Sequence, residues 1–123
     1  MLWRIDPAGD EPLYAQLVAQ VRLALAHGEL SPGERLPAAR ELATSLELNM
    51  HTVLRAYQTL RDEGVLELRR GRGAVVAASA GGDLAAAERA AVEQAVAGLV
   101  VAARAARLST ETTTTLVKEA MSR

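Results

Sequence analysis

The chain has 123 residues, half of them hydrophobic, which allows one modest buried core and excludes a disordered protein. It has no cysteine, so a disulfide framework and a cysteine-based metal site are excluded. The formal net charge of −1 hides a gradient, because residues 1–34 carry −3, whereas residues 35–77 carry seven arginines against five acidic residues. We expect a cytoplasmic protein, since we find neither a signal peptide nor a long apolar segment. We expect no metal, because the two histidines, His27 and His51, have no acidic cluster nearby, and we expect no cofactor.

The first predicted helix begins at Pro12 and is stopped by Gly28. Its apolar side chains recur every four residues, at Leu13, Leu17, Val21 and Leu25. Ahead of it, Trp3 and Ile5 alternate with other residues, which predicts an edge strand within residues 1–5.

Two further helical patterns follow, separated by only three residues. The first begins around Pro37 and buries Leu42 and Leu46, and the second is capped by Asn49. The second continues with a core-facing stripe at the spacing i, i+3, i+4, i+7, formed by Val53, Ala56, Tyr57 and Leu60. Two short helices joined in this way predict a helix-turn-helix.

After Gly64 the period changes from helix to strand. Residues 65–68 and 74–77 flank a glycine-containing loop, residues 69–73, that carries three arginines. A β-hairpin placed directly after a helix-turn-helix predicts a wing.

The small residues 79–82 are the predicted boundary of this domain. Beyond them, residues 83–106 and a segment capped by Ser109 predict two amphipathic helices. We therefore predict a mainly α fold with a small β-hairpin: a winged helix-turn-helix over residues 1–78 and a helical dimerisation region over residues 83–123. The predicted dimerisation residues are Val92, Val96, Leu99, Leu116, Val117 and Met121.

The polar side chains at the start of the third helix are the kind that contact DNA. The N-terminus of a recognition helix enters the major groove, which places Asn49, His51 and Thr52 near bases and phosphates. Arginines between glycines at a wing tip can follow the DNA backbone or enter the minor groove. The candidate DNA-binding residues on the third helix and the wing are therefore Asn49, His51, Thr52, Arg55, Arg69, Arg70 and Arg72.

Several short motifs resemble the GntR family of bacterial regulators. They are Pro-Leu-Tyr-Ala-Gln-Leu at 12–17, Gly-Glu-Leu-Ser-Pro-Gly-Glu-Arg-Leu-Pro at 28–37, Arg-Glu-Leu-Ala at 40–43, the Asn-x-x-Thr-Val-x-Arg-Ala-Tyr run from 49 to 57, and Gly-Arg-Gly at 71–73. The short C-terminal region is similar to the YtrA-type subfamily, in which two helices form the dimerisation region. Met50 departs from the pattern, because many members have an arginine there that recognises guanine.

The resemblance implies a role for individual residues. Arg40 is similar to an arginine that holds a phosphate at the start of the second helix, and Arg70 with Gly71 matches the wing contact. The implied function is a non-enzymatic, sequence-specific transcriptional regulator, a repressor, that binds double-stranded DNA as a homodimer on an inverted-repeat operator. Because many members are linked to operons for membrane transporters, such an operon is the implied target.

Alternatives stay open at this point. A winged helix can also be a protein-interaction module, and the near-neutral charge fits one. The regulatory part of an aminotransferase-like enzyme would need a cofactor-sized domain beyond these residues. A small effector at the dimer or domain interface is compatible with the sequence. Asn49 could be a plain N-cap, His51 an ordinary exposed side chain, and Arg55 a partner of Glu63.

Overall fold

The computed structural model describes residues 1–78, 80 and 86–123, which form two compact units, Met1–Asp83 and Leu84–Arg123. We call them the winged unit and the helical unit. In chain order the elements are α1 (Leu13–Ala26), α2 (Ala39–Leu46), α3 (Met50–Asp62), β1 (Leu66–Arg69), β2 (Gly73–Val76), α4 (Ala86–Ala105) and α5 (Thr110–Met121). The mainly α fold with a two-stranded antiparallel hairpin is as predicted. No helix in the described ranges is both long and apolar enough to cross a membrane.

Helix α1 forms where the four-residue repeat predicted it, with Pro12 at its N-cap and Leu17 and Val21 buried. The edge strand predicted for residues 1–5 is wrong. The backbone amide of Arg4 donates to Gln20 Oε1 at 2.6 Å, and that of Asp6 donates to Gln16 Oε1 at 2.7 Å. Glutamine side chains of α1 therefore satisfy amides that a neighbouring strand would otherwise have bonded.

Helices α2 and α3 form the predicted helix-turn-helix. The turn passes through Glu47, which has a φ of 56°, in the left-handed region. Leu48 N donates across it to the carbonyl of Ala43 at 2.8 Å, which closes the end of α2. The predicted stripe of α3 is buried, with Val53, Ala56 and Leu60 each 0% exposed and Tyr57 3% exposed. Leu42 is buried as predicted, whereas Leu46 is only partly buried.

Each strand of the wing lies one residue closer to the tip than predicted. Its register pairs Leu66 with Val76 and Arg69 with Gly73. Arg69 therefore belongs to β1, and the tip is only residues 70–72, closed by a bond from Arg72 N to the Arg69 carbonyl at 3.1 Å. Gly71 and Gly73, with φ of 80° and 72°, supply the left-handed backbone that lets the strands extend this far toward the tip.

A single hydrophobic core joins all parts of the winged unit. Its members come from every helix and strand of the unit and from the segment between α1 and α2. The largest of the fully buried side chains are Leu17, Val21, Val53, Leu60, Leu66 and Val76. An isolated bridge from Arg35 to Val75 adds the segment before α2 to the outer edge of the hairpin.

The helical unit is a pair of helices with little interior. Ser109 caps α5 as predicted, since its Oγ accepts a hydrogen bond from Thr112 N at 3.0 Å. Ala103 is the one buried residue within α4 and α5. Residues 79, 81 and 82 of the predicted boundary, and residues 83–85 at the start of the predicted helix, lie outside the described residues.

Candidate nucleic-acid interface

The start of α3 borders an open groove of about 390 Å³, which we call the recognition groove. Four of the predicted DNA-binding residues come together here: Asn49, His51, Thr52 and Arg55. The first turn of α1 forms the opposite wall with Pro12, Leu13 and Tyr14. The sequence predicted the α3 side of this groove but not the contribution of α1.

Asn49 works as an N-cap in this structure. Its Oδ1 accepts a hydrogen bond from His51 N at 2.8 Å, which uses one carbonyl lone pair and leaves the side-chain amide group free to donate. His51 is exposed and Thr52 is half-buried, so both are accessible to a molecule that lies along the groove. The capping role and a DNA contact are thus compatible for Asn49.

Arg55 is held by an aromatic ring rather than by an acid. Its Cζ lies 3.7 Å from the centroid of the Tyr14 ring. Glu63, the partner that the sequence left open for Arg55, is bound instead by Arg22 Nη2, at 2.6 Å from its Oε2. Arg55 therefore keeps a positive charge that no carboxylate in the described part of the chain neutralises.

The predicted arginines of the wing differ in what they contact. Arg70, Gly71 and Arg72 are exposed at the tip, and neither arginine forms an ion pair with a described residue. Arg69, inside β1, donates from Nε to Glu67 Oε2 at 2.8 Å. Part of the charge of Arg69 is thus neutralised within the hairpin, and the free charge is concentrated at the tip.

Arg35 is a residue that sequence reasoning missed. Its Nε donates to the carbonyl of Arg72 at 3.1 Å, so it braces the wing from the neighbouring segment. Together with Arg69 and Arg72 it lines a second groove of about 350 Å³ on the hairpin. Its position in the basic segment 35–77 was the available signal, but nothing in the sequence shows that residues 35 and 72 are close.

Arg40 lies at the second residue of α2 and is exposed, as the resemblance implies for a phosphate contact, but it lines neither groove. Tyr57, in the middle of α3, joins this helix to the segment before α2, because its hydroxyl donates to the Pro37 carbonyl at 2.6 Å. Burial raises the pKa of Tyr57 well above its usual range, and the negative charge of Glu41 raises it further. Tyr57 therefore remains protonated and keeps this bond.

Met50 packs against the hydrophobic core rather than facing solvent freely. The position at which many family members carry an arginine is thus used here for packing at the start of α3. Leu54 is half-buried and keeps part of its surface accessible. Among the described residues, no cluster of three or more histidine, aspartate or glutamate side chains could hold a metal ion.

The helical unit carries an apolar groove of about 550 Å³ between α4 and α5, which we call the helical groove. Three of the six predicted dimerisation residues line it: Val96, Leu99 and Val117. The other three, Val92, Leu116 and Met121, are 57%, 48% and 82% exposed and do not line it.

Comparison with known proteins gives the winged unit a family. Residues 13–76, more than half of the chain, match the model of the bacterial regulatory proteins of the gntR family. This chain belongs to the GntR family. The matched stretch runs from the first residue of α1 to the last residue of β2. It therefore contains Arg55 of the recognition groove, the arginines of the groove on the hairpin, and the wing tip.

Two relatives carry the YtrA name. The HTH-type transcriptional repressor YtrA of Bacillus subtilis is 40% identical over 77 residues, 63% of this chain and 59% of the repressor, so the chain matches little more than half of that relative. YtrA from Sulfolobus acidocaldarius, a GntR-family transcription factor of known structure, is 30% identical, with a TM-score of 0.59 over 98% of this chain and 97% of that chain. The likeness to YtrA-type regulators therefore extends over the helical unit as well.

A third similar protein is known from a complex with an operator. AraR(DBD) in complex with operator ORX1 is 27% identical, with a TM-score of 0.53 over 62% of this chain and 93% of that chain. Of these three proteins, one is named a transcriptional repressor, one a transcription factor and one a complex with an operator, and none of the names describes an enzyme.

Proposed function

We propose that this protein is a sequence-specific DNA-binding regulator of transcription, a cytoplasmic repressor that acts as a homodimer on an inverted-repeat operator. Two observations together carry the proposal: the arginines of the wing tip form no ion pair with a described residue, and polar side chains line the α3 wall of the recognition groove. The operon of a membrane transporter, which the resemblance implies, is its proposed target. The operator complex of the AraR relative supports DNA as the partner.

In this proposal the start of α3 contacts base edges and the arginines contact phosphates. Asn49, His51 and Thr52 are short polar side chains at the end of a recognition helix, the part that enters the major groove. Arg70 and Arg72 lie at the tip of a hairpin, where Gly71 permits close approach to the DNA backbone. Arg40 adds a phosphate contact at the start of α2.

The proposed homodimer forms through the helical groove. Val96 and Leu99 of α4 and Val117 of α5 present apolar surface there, and leaving it in water is unfavourable. A second copy carries the same exposed apolar side chains, which can cover this surface, and two-fold symmetry of the protein then requires two-fold symmetry of the operator. A small effector at this interface would displace part of the second copy, so we propose none for the groove itself.

Titration of labelled promoter DNA at several salt concentrations tests the function. We expect the wild-type protein to bind with a steep negative slope of log affinity against log salt. Arg70→Ala should weaken operator and random DNA by the same factor and reduce the slope by about 0.9, the contribution of one phosphate contact. Arg69→Ala is the matched control, since Glu67 already pairs with Arg69 and its loss should have a smaller effect.

His51→Ala separates base recognition from charge. It should reduce the difference in binding free energy between operator and random DNA by about 1–3 kcal/mol, the value of one base contact, and leave the salt slope unchanged.

If Arg70→Ala changes neither affinity nor slope, the wing does not contact DNA. The hypothesis of a protein-interaction module, which the near-neutral net charge fits, would then be preferred.

A further inference from the structure

The contact between Tyr14 and Arg55 joins the start of α1 to the recognition helix. With the Arg55 Cζ 3.7 Å from the ring centroid, the guanidinium lies on the face of the tyrosine, where the negative face of the ring attracts it. Tyr14 is half-buried and belongs to the first turn of α1, so its ring is anchored by the winged unit. Arg55 is exposed and forms no ion pair with any described residue.

The stack determines which part of Arg55 remains available. The ring covers one face of the guanidinium, whereas the five N–H donors lie in the guanidinium plane and stay free to bind. That planar arrangement matches the oxygens of a phosphate group. An arginine side chain without such a contact loses the freedom of several rotatable bonds when it binds a phosphate. The Tyr14 ring reduces that loss, because it already restricts the side chain of Arg55 before binding.

The location of the pair indicates its ligand. Tyr14 and Arg55 line the recognition groove together with Asn49, His51 and Thr52. If α3 enters the major groove as proposed above, Arg55, about one turn along the helix from His51, lies beside the strand that borders it. A DNA phosphate is the anion of that strand, and Arg55 faces it with no competing carboxylate in the described residues.

We propose that Tyr14 is a positioning residue for DNA binding, which holds the guanidinium of Arg55 so that its N–H edge meets a backbone phosphate. The interface then extends from the recognition helix to α1. This inference rests on the proposed DNA-binding function. It assigns no base contact to either residue, so both should affect operator and random DNA equally.

A double-mutant cycle, measured as DNA affinity over a range of salt concentrations, tests the role. Arg55→Ala should reduce the salt slope by about 0.9. Tyr14→Leu, which keeps apolar volume but removes the ring, should weaken operator and random DNA roughly two- to fivefold, the strength of an exposed cation–π contact. In the Arg55→Ala background, Tyr14→Leu should have no further effect. Tyr14→Phe retains the ring and should restore binding to the wild-type level.

Two controls separate positioning from general damage. Arg61→Ala removes a cation from the far end of the same helix, where Arg61 pairs with Asp62, and should leave the affinity unchanged. The Arg55 side-chain proton resonances, shifted by the ring current of Tyr14 in the free protein, should move toward random-coil positions in Tyr14→Leu but not in Tyr14→Phe.

The possible failures are distinguishable. If the wild-type protein binds no DNA at any salt concentration, the proposed function is wrong and this inference falls with it. If the wild-type protein binds but Tyr14→Leu binds equally well, only the role of Tyr14 is refuted. A loss in Tyr14→Phe, or additive losses in the double mutant, would show that Tyr14 acts independently of Arg55 and would also overturn the proposal.

Discussion

The two units of this protein use apolar residues in opposite ways. In the winged unit, α1, α3 and the hairpin enclose a core in which Leu17, Leu60 and Leu66 are at most 2% exposed. In the helical unit, the described helices bury one alanine, and Leu99 and Val117 remain 38% and 37% exposed. The winged unit buries large hydrophobic side chains in its own core, whereas the helical unit leaves such side chains exposed at its surface.

This difference follows from geometry. Three helices and a hairpin can surround a core from several sides, but two helices leave one side of their shared apolar face uncovered. The winged unit should therefore keep its fold at any protein concentration. The helical unit should gain stability from a second copy, so its stability should depend on protein concentration.

The largest expected effect is on the core of the winged unit. Leu60→Ala should lower the free energy of unfolding by about 2–5 kcal/mol, because Leu60 is 0% exposed and its loss leaves a cavity. Trp3 is the single tryptophan and packs against this core, so its fluorescence follows the unfolding of this unit. The loss in free energy of unfolding should be the same at low and high protein concentration.

Leu23→Ala is the matched control for that measurement. Leu23 lies on α1 and is 55% exposed, so its truncation should cost less than about 0.5 kcal/mol. Equal losses for Leu23 and Leu60 would contradict the assignment of the core.

The second prediction concerns the helical groove. Leu99→Asp should raise the dimer dissociation constant roughly 30-fold or more, because it places a charge in the proposed apolar interface and removes a central contact. Val101→Asp is the matched control, since Val101 lies on the same helix, is 69% exposed and does not line the groove. Sedimentation at several concentrations measures both, and a Leu99→Asp variant that dimerises like wild type would place the interface elsewhere.

Helix periodicity was sufficient to predict the fold because the winged unit is dominated by local patterns. The four-residue repeat of α1, the N-cap Asn49 and the stripe that includes Leu60 each gave an element with its buried face. The edge strand failed because an alternation of residues cannot show that Gln16 and Gln20, far along the chain, take the hydrogen bonds.

The interface was predictable in outline for a similar reason. Residue type and position placed His51 and Arg70 on exposed parts of the helix and wing. Tyr14 contacts Arg55, which is 41 positions away in the sequence. Arg35 binds the Arg72 carbonyl, which is 37 positions away. Such pairs depend on how α1 and the hairpin pack, which no local pattern contains.

The third prediction uses the pKa of Tyr57. An unfolded tyrosine loses its proton near pH 10.0, but the folded protein keeps this proton to higher pH. Protonated Tyr57 therefore makes its full contribution to the free energy of unfolding below pH 10. As the pH rises above 10 this contribution is lost progressively, by at most about 1.4 kcal/mol per pH unit.

Tyr57→Phe tests the same bond directly. It should cost about 1 kcal/mol below pH 10, because the Pro37 carbonyl loses its donor, and it should remove this part of the alkaline decline. Chemical denaturation followed by Trp3 fluorescence at neutral and alkaline pH measures both effects. An identical alkaline decline in Tyr57→Phe and wild type would show that another group is responsible.

The smallest expected effects come from a feature that the two units share. Glu47 after α2 and Arg107 after α4 are the non-glycine residues with left-handed backbone among those described, with φ of 56° and 57°. Each is followed by the same closing bond, from Leu48 N to Ala43 O at 2.8 Å and from Leu108 N to Ala103 O at 2.9 Å. A side chain is strained in this conformation, and glycine is not.

Glu47→Gly should therefore stabilise the winged unit by about 0.5–1 kcal/mol, after the greater freedom of glycine in the unfolded chain is subtracted. Glu47→Ala, which removes the carboxylate but keeps the strain, should not stabilise it and serves as the control. Arg107→Gly should give a similar gain in the helical unit, but if that unit is stable only as a dimer, the gain appears as tighter dimerisation and leaves the Trp3 transition unchanged. A shift of the Trp3 transition by Arg107→Gly, independent of protein concentration, would show that the two units unfold together and that their contrast in burial is not a contrast in stability.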